Sequence, residues 1–135
     1  MTRLVIILLL LFACPARAED YAVVVSVSAG IDQLEEKMIR DVFLRKRQFA
    51  NSRRLFPVNI TGDVEIRRAF EREVLGMNRD QLNQYWIESH FQGVSPPGTQ
   101  ASIEALIQVV SRVDGAITYL PRSQVTEQMR VIHEF

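Results

Sequence analysis

The sequence predicts a single α/β domain built on a helix-covered, mostly parallel sheet of three to four strands. Three observations carry this. Apolar β-branched runs and amphipathic stretches follow one another as strand, helix, strand, two helices, loop, helix, strand, an alternating order typical of parallel sheets. The first run, with Val23, Val24, Val25 and Val27, is continuously apolar, as in a strand covered on both faces. No internal repeat, low-complexity tract or linker divides residues 19–135, a length that suits one compact domain.

Each element has its own local signal. Residues 22–28 read as the first strand and end in small residues at Gly30. Ile31, Leu34, Met38 and Val42 then recur at helical spacing, with Asp32 as a cap and Glu35 completing a capping box. A basic loop follows, and residues 55–60 form the second strand. Thr61-Gly62-Asp63 turns into a helix that points Ile66, Phe70 and Val74 inward, pairs Arg67 with Glu71 and stops at Gly76. Asn78 and Gln81 form a second capping box for a helix carrying Leu82, Tyr85, Trp86 and Ser89 on one stripe. Residues 93–98 contain Pro96-Pro97 and are a loop. Ser102 caps a helix with Ile103, Leu106, Ile107 and Val110 on its apolar face, and Asp114-Gly115 launches a strand over 116–120. Residues 129–135 alternate as a last, edge strand.

The N-terminus reads as a secretion signal. Arg3 precedes the apolar run 4–13, and Ala16-Arg17-Ala18 places small residues at the two positions a signal peptidase reads. That run is too short to span a bilayer as a stable helix. Cleavage near Ala18 is expected to leave a periplasmic or secreted domain, 19–135, with no transmembrane segment. A lipid anchor on Cys14 is the alternative, on a poor signal with Phe12 where a smaller residue is usual. Cys14 is the one cysteine, so its removal with the signal excludes disulfides, thiolate catalysis and cysteine metal sites together. Sixteen Lys and Arg balance sixteen Asp and Glu; without Arg3 and Arg17 the formal charge becomes −2. Such a domain has no global field to attract nucleic acid, and none is expected as a partner.

A string of short signatures runs along residues 23–120: Ile39-Arg40-Asp41-Val42-Phe43-Leu44, Phe56-Pro57-Val58-Asn59, Arg67-Arg68-Ala69-Phe70, Val74-Leu75-Gly76-Met77, Tyr85-Trp86, Ser95-Pro96-Pro97 and Gly115-Ala116-Ile117-Thr118-Tyr119-Leu120. Their order and spacing resemble the small, single-lobe relatives of phosphate-transport substrate-binding proteins, which have the type 2 periplasmic binding protein fold. The resemblance implies one lobe of that fold, a phosphate-like ligand and a connection with transport. It also marks departures. Phosphate-binding members carry an arginine after the second strand and a Ser-Gly-Thr-like stretch opening the helix, whereas this chain has Asn59 and Val64-Glu65-Ile66 there. Asp63 and Glu65 put carboxylates where an anion would approach, and Arg67 matches an arginine of the short relatives. Phe49 stands where tryptophan is usual, which implies that it packs under the basic loop.

In open α/β sheets ligands collect beyond the carboxyl ends of strands. The candidate ligand-binding residues are therefore Ser26 and Ser28 after the first strand, Thr61, Gly62 and Asp63 after the second, and Arg67. Backbone N–H groups at the helix start would serve a small oxyanion, while capping by Thr61 and Asp63 accounts for the same residues and is preferred. Arg67 either reaches an anion or pairs with Glu71. The second candidate surface is cationic: Arg45, Lys46, Arg47, Arg53 and Arg54 surround Phe49. It reads as a solvated loop, or as a docking patch for an envelope or transporter protein. An envelope interaction module that has lost its solute is the alternative function.

Catalysis is not expected. Gly-x-Ser-x-Gly is absent, the paired carboxylates Glu35-Glu36 and Glu71 with Glu73 read as lying on exposed helix faces, and Tyr85-Trp86 reads as a core anchor. His90 and His133 lack neighbours at metal-ligand spacing, so neither a metal nor a cofactor is expected.

Overall fold

The computed structural model describes residues 20–135. The predicted signal segment, its cleavage site and Cys14 lie outside the described residues. The described chain has seven strands: β1 (Tyr21–Ser26), β2 (Phe49–Ala50), β3 (Arg53–Arg54), β4 (Phe56–Ile60), β5 (Gly98–Gln100), β6 (Ala116–Pro121) and β7 (Met129–Glu134). Its α-helices are α1 (Glu36–Phe43), α2 (Glu65–Phe70), α3 (Arg79–Phe91) and α4 (Ile103–Arg112). The main sheet is five-stranded with order β5-β4-β6-β1-β7, and β2 and β3 form a separate hairpin.

Four of the five strands run the same way. β4 is parallel to both β5 and β6, whereas β1 is antiparallel to β6 and β7. β1 therefore crosses the sheet in reverse. Its carboxyl end lies beside the amino ends of β4 and β6, and this inversion decides what can share a site. The sequence expectation of a helix-covered, mostly parallel sheet holds. The fifth strand is β5, three residues after the Pro96-Pro97 loop, too short to give any alternating pattern.

Burial explains the strand signals. Every residue of β1 and of β6 is buried, as the continuous apolar runs require for strands covered on both faces. Tyr119 of β6 is the hub. Its ring stacks on Phe70 of α2 with centroids 4.3 Å apart, Phe43 of α1 meets Phe70 edge-on at 4.6 Å, and Phe135 closes the cluster 5.6 Å from Phe70. α4 packs along β1, β4 and β6 through Leu106 and Val110.

Two helix starts differ from expectation. Asp32 does not cap a helix: α1 begins at Glu36, its N-cap is Glu35 with no side-chain bond, and Asp32 instead pairs with Arg130 of β7. Ile31 and Leu34 are buried all the same, so helical spacing arose there from an extended segment packed on the core. α2 is capped by Val64, again without a side-chain bond, and not by Thr61 or Asp63. Past Phe70 the helix widens into a π-helical turn, Glu71–Leu75, closed by Gly76 in the left-handed region at φ +67°. The Asn78–Gln81 capping box and the Ser102 cap form as read. Phe49 does not pack under the basic loop: it pairs with Arg54 across the β2–β3 hairpin and is 53% exposed.

Candidate functional site

The carboxyl ends of β4 and β5 open onto a cleft of about 270 Å³, whose polar lining is Asn59, Arg67, Glu71, Asn83 and Thr99. Phe43, Leu75, Leu82, Trp86, Pro96 and Pro97 form its apolar walls. The Pro96-Pro97 loop supplies one wall because prolines cannot continue α3 and their rings present apolar surface without an N–H to satisfy.

Arg67 organises this cleft. Its Nη1 donates to the Ile60 carbonyl at 2.9 Å, and its Nε lies 3.3 Å from Glu71 Oε1. Arg79 Nη2 reaches the same Glu71 oxygen at 3.0 Å. Glu71 is 4% exposed, so its charge is buried between two guanidinium groups. The Arg67–Glu71 contact is ionic, since neither buried atom has a well-aligned hydrogen-bond partner. With Nη1 and Nε so held, Arg67 lines the cleft together with Asn59, Asn83 and Thr99.

Asn59 is held from behind. Its Oδ1 accepts from the Tyr119 hydroxyl at 2.9 Å, and that hydroxyl accepts from the Ile60 N–H at 3.4 Å. With its oxygen accepting from Tyr119, Asn59 keeps its amide N–H₂ as a donor, and the residue lines the cleft. Burial pushes the Tyr119 phenol well above its ordinary value, against the lowering effect of the Ile60 hydrogen bond and of Arg67. It stays a neutral donor over the physiological range. The Arg67 guanidinium, the Asn59 amide, the Asn83 amide and the Thr99 hydroxyl therefore all line one cleft.

Asp63 opens a neighbouring cleft of about 440 Å³ with Arg68, Glu71, Arg72, Met77 and Arg79. There the carboxylates are neutralised. Asp63 pairs with Arg68 at 3.1 Å and Arg79 at 3.3 Å, and Glu65 pairs with Arg68 at 3.0 Å. The repulsion expected from Asp63 and Glu65 is thus largely answered within the protein.

The structure divides the candidate residues between two ends of the sheet. Arg67 lines the cleft, whereas Thr61, Gly62 and Asp63 are exposed and do not line it, Asp63 belonging to the neighbouring cleft. Ser26 and Ser28 do not join them. They sit at the opposite end, where Ser28 Oγ donates to Asp114 at 2.6 Å, just before β6 begins. The reason is the reversed β1, whose carboxyl end cannot meet that of β4. The pairing of Arg67 with Glu71 forms as read, but Glu71 is buried and not on an exposed helix face, because two guanidinium groups enclose it. Sequence reasoning missed Asn59 and Thr99 as cleft-lining residues and Arg79 as the second cation on Glu71. Arg79 carried no signal, because it meets Glu71 only through the turn at Gly76. The cationic residues Arg45, Lys46, Arg47, Arg53 and Arg54 are all exposed. Among the described residues, no group of three or more His, Cys, Asp or Glu side chains could hold a metal ion. Nor is any helix there long and apolar enough to cross a membrane.

Comparison with protein-family models and with curated proteins finds no match. Solved structures do match. One is a phosphate ABC transporter substrate-binding protein with bound phosphate from Clostridium perfringens. It superposes with a TM-score of 0.68 at 16% identity, covering 84% of this chain and 44% of that one. An ABC-type phosphate transport receptor from Vibrio cholerae gives a TM-score of 0.66 at 14% identity, covering 85% of this chain and 46% of that one. This chain thus spans less than half the length of either, and over that span it has the fold of phosphate ABC-transporter substrate-binding proteins.

Proposed function

We propose that the protein is an exported, non-enzymatic single lobe of the substrate-binding type, holding a small, phosphate-like oxyanion in connection with transport. The observation that carries this is the set of polar side chains that line one cleft: Arg67 with Asn59, Asn83 and Thr99. A guanidinium with neutral donors around it matches the acceptor-only surface of an oxyanion. The fold points the same way, since a structural neighbour carries phosphate. Glu71 limits the affinity. It already neutralises much of Arg67 and Arg79, so an entering anion gains less Coulomb energy than it would at an unpaired arginine. A single lobe also leaves its ligand open to water, and a partner chain would supply the missing wall.

Thermal melts with phosphate, sulfate and other small anions at millimolar concentration test this. A site of micromolar affinity adds about 4 kcal/mol at roughly a thousandfold excess of ligand. Arg67→Ala is expected to reduce the anion response by well over tenfold while the fold survives. Silence to every anion would sink the oxyanion reading. It would favour an envelope interaction module that kept the fold and lost the solute, for which the internal pairing of Glu71 with both arginines already speaks.

A further inference from the structure

The cations of this protein fall into two populations. Arg45, Lys46, Arg47, Arg53, Arg54 and Arg112 form no ion pair among the described residues, whereas every other lysine and arginine in 20–135 is paired with a carboxylate. Five of the six fall within residues 45–54, in the β2–β3 hairpin and the segment before it, and Lys46 Nζ lies 5.8 Å from the centre of the Tyr85 ring on α3. Arg53 and Arg54 form the second strand of the β2–β3 hairpin, and residues 45–47 lead directly into it. Arg112 ends α4 two residues before Asp114, and the carbonyl of Gly115, the next residue, accepts the N–H of Phe56. The hairpin and Arg112 thus lie toward the amino ends of β4 and β6, opposite the carboxyl ends that open onto the oxyanion cleft.

Apolar side chains are exposed among these charges: Val27, Phe49, Phe56 and Val113, each between 42% and 53% exposed. Phe49 sits opposite Arg54 in the hairpin register, and the Arg54 guanidinium lies over the Phe56 ring at 5.2 Å. Phenylalanine, arginine and phenylalanine therefore line up on one exposed face. The hairpin tip is formed by Asn51 and Ser52, both at positive φ, which makes a tight turn and brings Arg53 back beside Ala50.

We propose that this end of the protein docks onto an anionic lipid surface, with the cations over the headgroups and Phe49 and Phe56 at the acyl boundary. Six unpaired cations have the count and clustering that an anionic leaflet attracts. Arginine stems and aromatic rings place apolar atoms at the boundary while keeping charge in the headgroup layer. The same observations favour lipid over an acidic protein. Among the described residues the side chains of Arg45, Arg47, Arg53 and Arg112 make no hydrogen bond that would fix them. A fluid array of phosphates accepts such unanchored charges, whereas a rigid carboxylate epitope must order each at an entropic cost.

The test is co-sedimentation of the purified protein with vesicles of equal parts phosphatidylcholine and phosphatidylglycerol, against vesicles of phosphatidylcholine alone. Binding to the anionic vesicles only, weakened by salt, is expected. Replacing Arg45, Lys46, Arg47, Arg53 and Arg54 by Gln should weaken it by well over tenfold. Phe49→Ser should remove the fraction that survives high salt. Arg122→Gln, distant from the hairpin in sequence and paired with Glu134, should change nothing. Circular dichroism verifies that each variant is folded. Equal binding to both vesicle types, no binding to either, or Gln variants that bind like the parent would each overturn the proposal. So would tighter binding to a polyglutamate peptide than to the anionic vesicles, which would point to an acidic protein. The anion melts read the other end of the sheet, so either reading can fail alone.

Discussion

Glu71→Gln isolates the buried charge cluster with almost no change in volume. The wild-type carboxylate lies 3.3 Å from Arg67 Nε and 3.0 Å from Arg79 Nη2, and its side chain is 6% exposed. Removing one member of a buried ion pair costs about 3–5 kcal/mol, because the partner charge is left uncompensated. Two features reduce that here. The Arg79 side chain is 39% exposed and keeps Asp63 at 3.3 Å, so it can rehydrate and re-pair. Arg67 keeps its bond to the Ile60 carbonyl but is only 18% exposed and carries most of the loss. The expected cost is about 2–3 kcal/mol, the lower part of the range. For a domain of this size that lowers Tm by roughly 10 °C. Urea and thermal unfolding measure it directly. Phosphate or sulfate should then stabilise the variant more than the parent, because an external anion can take the place of the lost carboxylate. A loss below about 0.5 kcal/mol would mean that water already screens the cluster, as in an exposed pair. The limit on anion affinity argued from Glu71 would then be wrong.

Three further perturbations probe the frame of the cleft. Phe70→Ala empties the centre of the Phe43, Tyr119 and Phe135 cluster and should cost about 3–5 kcal/mol in denaturant unfolding. Tyr119→Phe removes the hydroxyl that joins Asn59 to the Ile60 N–H and should cost about 1–3 kcal/mol; it should also flatten the alkaline limb of stability. Burial raises the folded phenol above its unfolded value of about 10, so the unfolded chain loses that proton first and stability falls as pH rises past that point. Gly115→Ala would drive a methyl group into the Arg54 carbonyl and the Phe56 ring. About 1–3 kcal/mol of destabilisation is expected, together with a shift of the hairpin detectable by hydrogen exchange at residues 49–54.

The sequence carried the frame because the frame rests on local signals. Val23, Val24 and Val25 announce a strand buried on both faces whatever its direction, and Asn78 with Gln81 announces a helix start wherever that helix packs. Direction is a different kind of fact. Nothing within residues 21–26 states that β1 runs against β6, since that depends on pairing with residues 117–121 almost a hundred positions later. One reversed strand was enough to separate Ser26 and Ser28 from Arg67. The same limit governs charge. Arg67 and Glu71 could be paired by counting one helical turn, but Arg79 reaches that carboxylate only because the π-helical turn and Gly76 fold the chain back. Asn59 shows the limit most sharply. By comparison it stands where a ligand-binding arginine would be, and it reads as a loss. In the fold Tyr119 donates to its oxygen, and the amide N–H₂ keeps its capacity to donate on a residue that lines the cleft. On the oxyanion reading proposed above, asparagine in place of arginine would lower the positive charge of the site without removing its capacity to donate, and a weaker, exchangeable site is what such a replacement would build.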